Sequence, residues 1–222
     1  MFAQPTHGAR PSLTAVYRPK AFSLDDTRAL NAAETIGFGH LVIAAGGRIE
    51  STPMPYLLDF RASNVVLIAH LAKANPIAPS IASGCDCLVI VPGADAYVSP
   101  NHYPSKAADG RVVPTWNYTV IHLSGRITTF SDDDRLDDLV RRLTDRHEAQ
   151  RARPWSVDDA PSDFIAAQRR AIIGLEMLVS SVEGKAKLSQ NRKDEDRRGV
   201  HTAFAEGTAS EQAVASDMET TW

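Results

Sequence analysis

The sequence lacks several features that would assign a chain to a functional class at once. Its 24 Lys and Arg residues are outnumbered by 27 Asp and Glu residues, so no basic excess indicates a nucleic-acid partner. No apolar run approaches the roughly 18 residues that a membrane-spanning helix needs. The first residues, MFAQPTHGARPSL, contain no signal-peptide stretch. We therefore expect a cytoplasmic protein with no membrane partner.

Cysteine is scarce as well. The two cysteines, Cys85 and Cys87, are too few for a disulfide framework. Residues two apart on a strand point the same way, but no second Cys or His pair completes a four-ligand metal site. We interpret both cysteines as small buried residues and expect no metal. The motifs GxSxG, GxGxxG and GxxxxGK[ST] are also missing, which removes the usual sequence support for a hydrolase elbow, a Rossmann site or a P-loop.

What is present is a series of short apolar runs separated by turn residues. The 222 residues, 43% of them hydrophobic, are enough for one sizeable core. Helices are predicted over 24–36, from Asn75-Pro76 to Ser83, over about 131–149, over 158–172 and in part after Asn191. Strands are predicted over 40–45, 51–60, 65–70, 87–93, 96–100, 113–130 (one bent strand or two) and 172–184.

About six or seven closely spaced strands with peripheral helices predict a mainly β (α+β) fold, a β-barrel with helical additions. The pattern does not alternate as βαβα. We divide the chain into an N-terminal extension (1–16), a single barrel domain (17–206) and a flexible C-terminal tail (207–222), because the tail has little to bury.

One candidate site is a phosphate site at the end of a strand. His70, Lys73 and Asn75 lie where a strand ends and a helix is predicted to begin, and a helix start offers free N–H groups and a positive dipole end. The alternative is an ordinary surface lysine and a strand-end histidine. Spacing alone favours that alternative.

Two further segments concentrate polar or aromatic groups. The segment 184–192, GKAKLSQNR, is either a polar clamp for a ligand or a solvated loop. The segment 112–118 carries Trp116 and Tyr118, which either stack on a flat aromatic ligand or belong to the core. The residues by themselves leave both alternatives open.

Taken together, six segments in this order resemble the PaiB-type family of FMN-binding negative transcriptional regulators, over roughly residues 16–205. VVPTWNY and KxKLSQNR are the most specific signatures. The six segments are HLAKANP (70–76), AYVSPNHYPSK (96–106), VVPTWNY (112–118), PW (154–155), IIGLEM (172–177) and EGKAKLSQNR (183–192).

The resemblance implies an FMN-binding split β-barrel, related to pyridoxamine-phosphate oxidase, that forms a homodimer with FMN at the interface. It implies that Thr52, Met54 and Pro55 lie near the isoalloxazine ring. Ala69 and His70 would meet the ribityl-phosphate, and Lys73 and Asn75 would bind the phosphate. The implied contribution of the other subunit is Trp116, Asn117, Lys187, Gln190 and Asn191. The resemblance and the spacing argument agree on His70 and Lys73. We therefore interpret these two residues as parts of a phosphate site rather than as ordinary surface residues.

Two positions depart from the family pattern. Ala186 stands where the family commonly has Trp, and that change removes a ring-packing partner or opens the pocket. Pro53 lacks a backbone N–H that flavin binding could use. A scaffold that has lost flavin is therefore one hypothesis.

Two other functions stay open: a flavin-binding protein with a transcriptional-regulatory role, and a flavin-dependent oxidoreductase or flavin reductase. No residue is singled out as catalytic. Direct DNA binding is weakly supported, because the Arg pairs 141–142, 169–170 and 197–198 are typical of solvated helix faces.

Overall fold

Seven antiparallel strands form the body of the molecule in the computed structural model, which describes residues 16–62 and 64–221. The strands are β1 (Ser23–Leu24), β2 (Phe38–Ala45), β3 (Arg48–Arg61), β4 (Asn64–Ala72), β5 (Cys85–Val98), β6 (Thr115–Phe130) and β7 (Ile172–Lys187). The helices are α1 (Asp26–Ile36), α2 (Ala78–Ile81), α3 (Lys106–Asp109), α4 (Asp133–Glu148), α5 (Ser162–Arg170), α6 (Asp194–Ala205) and α7 (Ala209–Glu219).

The sheet closes on itself. The strand order is β1-β7-β4-β3-β2-β5-β6, and β6 also pairs with β7, so β2 to β7 form a six-stranded barrel with β1 added at β7. The β6–β7 register shifts between Ser124 and Gly125. A Cβ at Gly125 would lie 2.1 Å from the Leu178 carbonyl oxygen, so this close approach of the strands needs glycine. The expected mainly β fold with peripheral helices is confirmed.

The barrel is filled by alternate residues of its strands, as the period of two requires. The buried Tyr56 hydroxyl donates to the Ala33 carbonyl oxygen at 2.7 Å and thereby ties α1 to the barrel. Burial raises the pKa of this hydroxyl. Helix α1 ends, as predicted, at Gly37, whose φ of 60° suits glycine.

Helix α4 covers the outer face of β3 and β4. Its residues Leu139 and Leu143 pack against Leu57, Val66 and Ile68. The predicted amphipathic helix after Ser131 is therefore present, with Asp132 as its N-cap. This packing leaves a gap beside the end of α4 that forms part of the site described below.

A second core lies outside the barrel. Helices α6 and α7 pack on the ends of β5, β6 and β7, and Val214, Ala215 and Met218 of α7 are buried there. The prediction of a flexible tail over 207–222 is wrong, because three modest apolar side chains suffice once β5 and α6 supply the opposing surface. Thr208 and Glu211 form a capping box that starts the helix.

Two other sequence predictions concern the segment 75–83 and the N-terminus. The predicted helix over 75–83 shrinks to the single turn α2. The predicted N-terminal extension falls almost wholly on residues 1–15, which lie outside the described residues. Within the described part of the chain, no helix combines the length and apolar character needed to cross a membrane.

Candidate functional site

The first half of β3 has an open edge. Strand β4 pairs with β3 only as far as the Tyr56–Ala69 pair and then continues along β7. The Tyr56 N–H donates to the Gly37 carbonyl oxygen at 2.9 Å, on the β2 side. Backbone groups alternate in direction, so positions 53 and 55 face the side that β4 has left. Both are proline, and this edge offers carbonyl oxygens without N–H donors at these two positions.

Two clefts lie along this edge. One, of about 260 Å³, lies between the strands and α4. Its lining residues are Pro55, His70, Leu143, Thr144, His147, Glu148 and Trp155. The other, of about 430 Å³, lies near the start of β3 and is lined by residues 48–51 and 75–77.

His70 carries an unsatisfied polar atom at the first cleft. The residue is half-buried, and its Nδ1 is buried without a hydrogen-bond partner among the described residues. Buried polar atoms normally have a partner in folded proteins. Burial also lowers the pKa of His70, so the imidazole is neutral at pH 7. Five described residues carry such a buried atom, and His70 is the one among them that lines the cleft beside Pro55.

The side chains of Lys73 and Asn75 differ in whether their polar atoms already have partners within the chain. The Lys73 side chain is exposed and forms no ion pair with any described residue, while its N–H donates to the Ala171 carbonyl oxygen at 2.8 Å. Asn75 is used internally. Its Nδ2 donates to Thr52 Oγ1 at 3.1 Å, and its Oδ1 accepts from the Ile77 N–H at 3.1 Å. Asn75 therefore caps the turn before α2, which is a single helical turn, and its role in phosphate binding stays a prediction.

Met54 and Ala69 lie inside the barrel. Met54 is 1% exposed and Ala69 is fully buried, both within the main core. Their side chains therefore point into the barrel and away from the clefts, and the alternation of backbone groups turns the polar main-chain atoms of Met54 toward β2.

The residues expected from the other subunit lie where β6 begins and β7 ends, and several are already bonded. Asn117 is fully buried; its Nδ2 donates to Ser189 Oγ at 3.0 Å, and its Oδ1 lies 3.2 Å from the same hydroxyl. Lys187 Nζ donates to the Trp116 carbonyl oxygen at 2.6 Å. Gln190 Nε2 donates to the Ala186 carbonyl oxygen at 2.6 Å. These side chains hold the turn after β7.

Trp116 and Asn191 remain accessible. Trp116 is 52% exposed and meets the ring of Tyr97 edge-on at 6.0 Å between centroids. Asn191 is also exposed. These two side chains are free to contact another molecule.

One chain does not bring the two groups together. His70 pairs with Gly174 of β7, whereas Lys187 is the last residue of that strand. Position 187 lies thirteen residues beyond position 174, which is about 43 Å of extended strand at about 3.3 Å per residue. The two groups are therefore well separated along β7.

Sequence reasoning missed the wall supplied by α4. Thr144, His147 and Glu148 line the cleft beside His70, although the sequence marked only a helical face there. The signal that could have found this wall is the PW pair at 154–155, since Trp155 closes the same cleft.

Comparison with known proteins defines the class and then the family. The fold is that of split-barrel proteins. It matches a FAD and heme binding protein from Mycobacterium smegmatis with a TM-score of 0.52 at 19% identity, over 85% of this chain and 82% of that one. It also matches a conserved hypothetical protein from Mycobacterium tuberculosis with a TM-score of 0.56 at 8% identity, over 79% and 93%.

Residues 16–181 match the family described as "Putative FMN-binding domain", and the chain belongs to this family. It is 30% identical over 201 residues to an uncharacterized protein of Emericella nidulans, covering 76% of this chain and 80% of that protein. It is 26% identical over 186 residues to the Bacillus subtilis protein named "Protease synthase and sporulation protein PAI 2", covering 83% and 87%. The resemblance to the PaiB type is confirmed, and FMN is the cofactor of the family.

Proposed function

We propose that this chain binds FMN along the open edge of β3, between two copies of itself. The observation that carries the proposal is the buried, unpartnered Nδ1 of His70 beside the cleft at Pro55. The exposed Lys73, which lacks an ion pair among the described residues, supplies a cation for the phosphate. Thr52 and Asn75 bond to each other and hold the turn that carries Lys73.

The second copy completes the site with Trp116 and Asn191, which are exposed in the single chain. Lys187, Gln190 and the buried Asn117 act as positioning residues, because their polar atoms are already used within the chain. The separation of the two groups along β7 supports the homodimer as part of this proposal.

When bound, FMN supplies hydride or one-electron chemistry. The chain's own residues bind and orient it. The neutral His70 offers one hydrogen bond to the ribityl-phosphate part of FMN, and Leu143 supplies an apolar wall of the cleft.

We include a role in gene regulation, which the resemblance to the PaiB-type family implies; the Bacillus subtilis relative is named for protease synthesis and sporulation. Direct DNA contact through the arginine pairs is not part of the proposal. Arg141 and Arg169 bind Asp137, and Arg142 binds Asp59, so three of the six arginines in these pairs are already held in ion pairs. The regulatory partner would then be a protein.

A flavin-dependent oxidoreductase is the second candidate. The observation that favours it is the open mouth of the cleft, where Trp155 is 45% exposed and His147 is also exposed. A second small molecule could enter there.

The first experiment is an absorption spectrum of the purified protein after addition of FMN and desalting, with the mass in solution measured by light scattering. Bands near roughly 370 and 450 nm that persist, in a particle of twice the chain mass, are expected. Loss of all flavin on desalting, or flavin retained by a monomer, would overturn the dimeric site.

A mixing experiment tests the shared site directly. Lys73→Ala and Trp116→Ala each damage both sites of a homodimer. A mixed dimer of the two variants keeps one intact site if Lys73 and Trp116 come from different protomers. Partial recovery of FMN binding after mixing and refolding is expected. No recovery would place both residues in one chain's site or remove one of them from it.

Two assays separate the candidate functions. Bleaching of the bound flavin by NADH or NADPH with turnover favours the oxidoreductase. A salt-sensitive shift of duplex DNA at low ionic strength would contradict the regulatory proposal in its present form, which has no DNA contact.

A further inference from the structure

A third cavity, of about 390 Å³, lies away from the open edge of β3 and beside the strand ends that carry Asn117 and Lys187. It is bounded by α1, by α7 and by the bulge of β5, where the pairing with β6 shifts between Pro92 and Asp95. Its volume falls in the range of about 300–1,000 Å³ that is usual for small-molecule sites. None of its lining residues belongs to the set implied for FMN, so its contents are a separate question.

The walls of this cavity are mostly apolar. The apolar lining residues are Leu24, Ala32, Ile36, Ala94, Ala186, Leu188 and Ala213. Ala186 of β7 contributes a small side chain to this wall and is buried in the second core outside the barrel. An apolar wall of this extent suits the hydrocarbon part of a ligand.

One carboxylate faces this cavity without a counter-ion. Asp217 of α7 is half-buried, and its Oδ2 accepts from the Thr119 hydroxyl at 3.1 Å. It forms no ion pair within the described residues. Arg28 also lines this cavity, where its guanidinium donates to the Thr220 carbonyl oxygen at 3.2 Å. Desolvation raises the pKa of Asp217, which is the cost that a bound cation would offset.

We propose that this cavity binds a small organic amine, with its ammonium group paired to Asp217 and its apolar body against Ala94, Ala186 and Leu188. The donor set argues against a metal ion, since Asp217 and Thr119 supply far fewer oxygen ligands than the six to eight or so that Ca²⁺ takes. An ammonium group needs only one carboxylate and a few acceptors. The apolar walls select an amine with a hydrocarbon body.

The test uses two probe amines, benzylamine and n-hexylamine, and the neutral analogue benzyl alcohol. Calorimetric titration of the full chain should give saturable one-to-one binding of at least one amine, at least tenfold tighter than binding of benzyl alcohol. Asp217→Asn retains an acceptor for Thr119 but removes the charge. It should weaken amine binding at least tenfold and leave benzyl alcohol unchanged.

Ala186→Leu provides an independent check by filling the cavity from the β7 side. It should abolish binding of both amines. Ser216→Ala, on the exposed face of α7, is the matched control that should bind as the wild type does, and a cooperative melt establishes that each variant is folded. Failure of both amines to bind the wild type, or equal amine affinity in folded Asp217→Asn, would overturn the proposal. The outcome is independent of the FMN experiments.

Discussion

The two groups of residues that the resemblance assigned to one flavin site differ in how far their polar atoms are already used. On β3 and β4, His70 Nδ1 has no partner among the described residues, and Lys73 has no ion pair there. At the ends of β6 and β7, Asn117, Lys187 and Gln190 are bonded within the chain.

This difference shows that a family-specific motif can fix the shape of a turn as well as bind a ligand. The run KLSQNR is among the most specific signatures in the sequence, yet Ser189 adopts a φ of 66° and its hydroxyl bonds Asn117. The turn's shape depends on these bonds. The less distinctive strand end at His70 has the free groups.

The largest expected effect is on stability, and it tests the packing of α7 in the second core. Met218 is 1% exposed in the second core, so Met218→Ala should lower the free energy of unfolding by about 2–5 kcal/mol. Urea denaturation measures the change. The exposed Ser216→Ala should stay within about 0.5 kcal/mol of wild type. If Met218→Ala were as stable as this control, the prediction of a flexible C-terminal tail would be correct after all.

Asn117→Ala should come next, with a loss of about 1–3 kcal/mol, because the buried Ser189 hydroxyl loses its partner. Denaturation of Asn117→Ala, Ser189→Ala and the double variant forms a cycle, and the double variant should lose less than the sum of the two. Reduced FMN affinity with unchanged stability would instead make Asn117 a direct flavin contact.

In the binding region, Lys73→Ala should raise the FMN dissociation constant about tenfold to a hundredfold, because a charge-assisted hydrogen bond is worth about 1.5–3 kcal/mol. Its stability without FMN should match wild type, since the side chain is exposed. Lys20→Ala, another exposed lysine, is the control for net charge. Fluorescence titration measures both variants, and an unchanged constant for Lys73→Ala would remove this residue from the site.

The smallest effect concerns pH. Burial holds the pKa of His70 below its ordinary value of 6.5, so the unfolded chain binds the proton more readily than the folded chain. Stability is full above pH 6.5 and falls as pH drops through the window below it. His70→Gln should reduce this fall in unfolding curves recorded between about pH 7 and 5. His122, whose pKa burial also lowers, contributes a slope of the same sign, and His122→Gln is the matched variant.

Local patterns predicted much of the fold because strands and caps depend on near neighbours. The hairpins formed by β2, β3 and β4, the end of α1 at Gly37 and the amphipathic α4 follow from period and turn residues. The predictions failed where a distant surface decides the outcome. The 207–222 segment became helical because β5 and α6 cover it, and the 75–83 segment kept one turn because Asn75 bonds Thr52 of β3.

The sequence by itself determined the strand-rich class, the family motifs and the cationic and aromatic candidates, since these depend on residue type and spacing. Only the tertiary structure decided which candidates are free to bind. Whether a polar side chain is satisfied depends on groups far away in the chain: Asn117 bonds a residue 72 positions later, while His70 Nδ1 finds no partner in the described chain. That distinction comes from barrel closure and helix docking, which bring distant segments together.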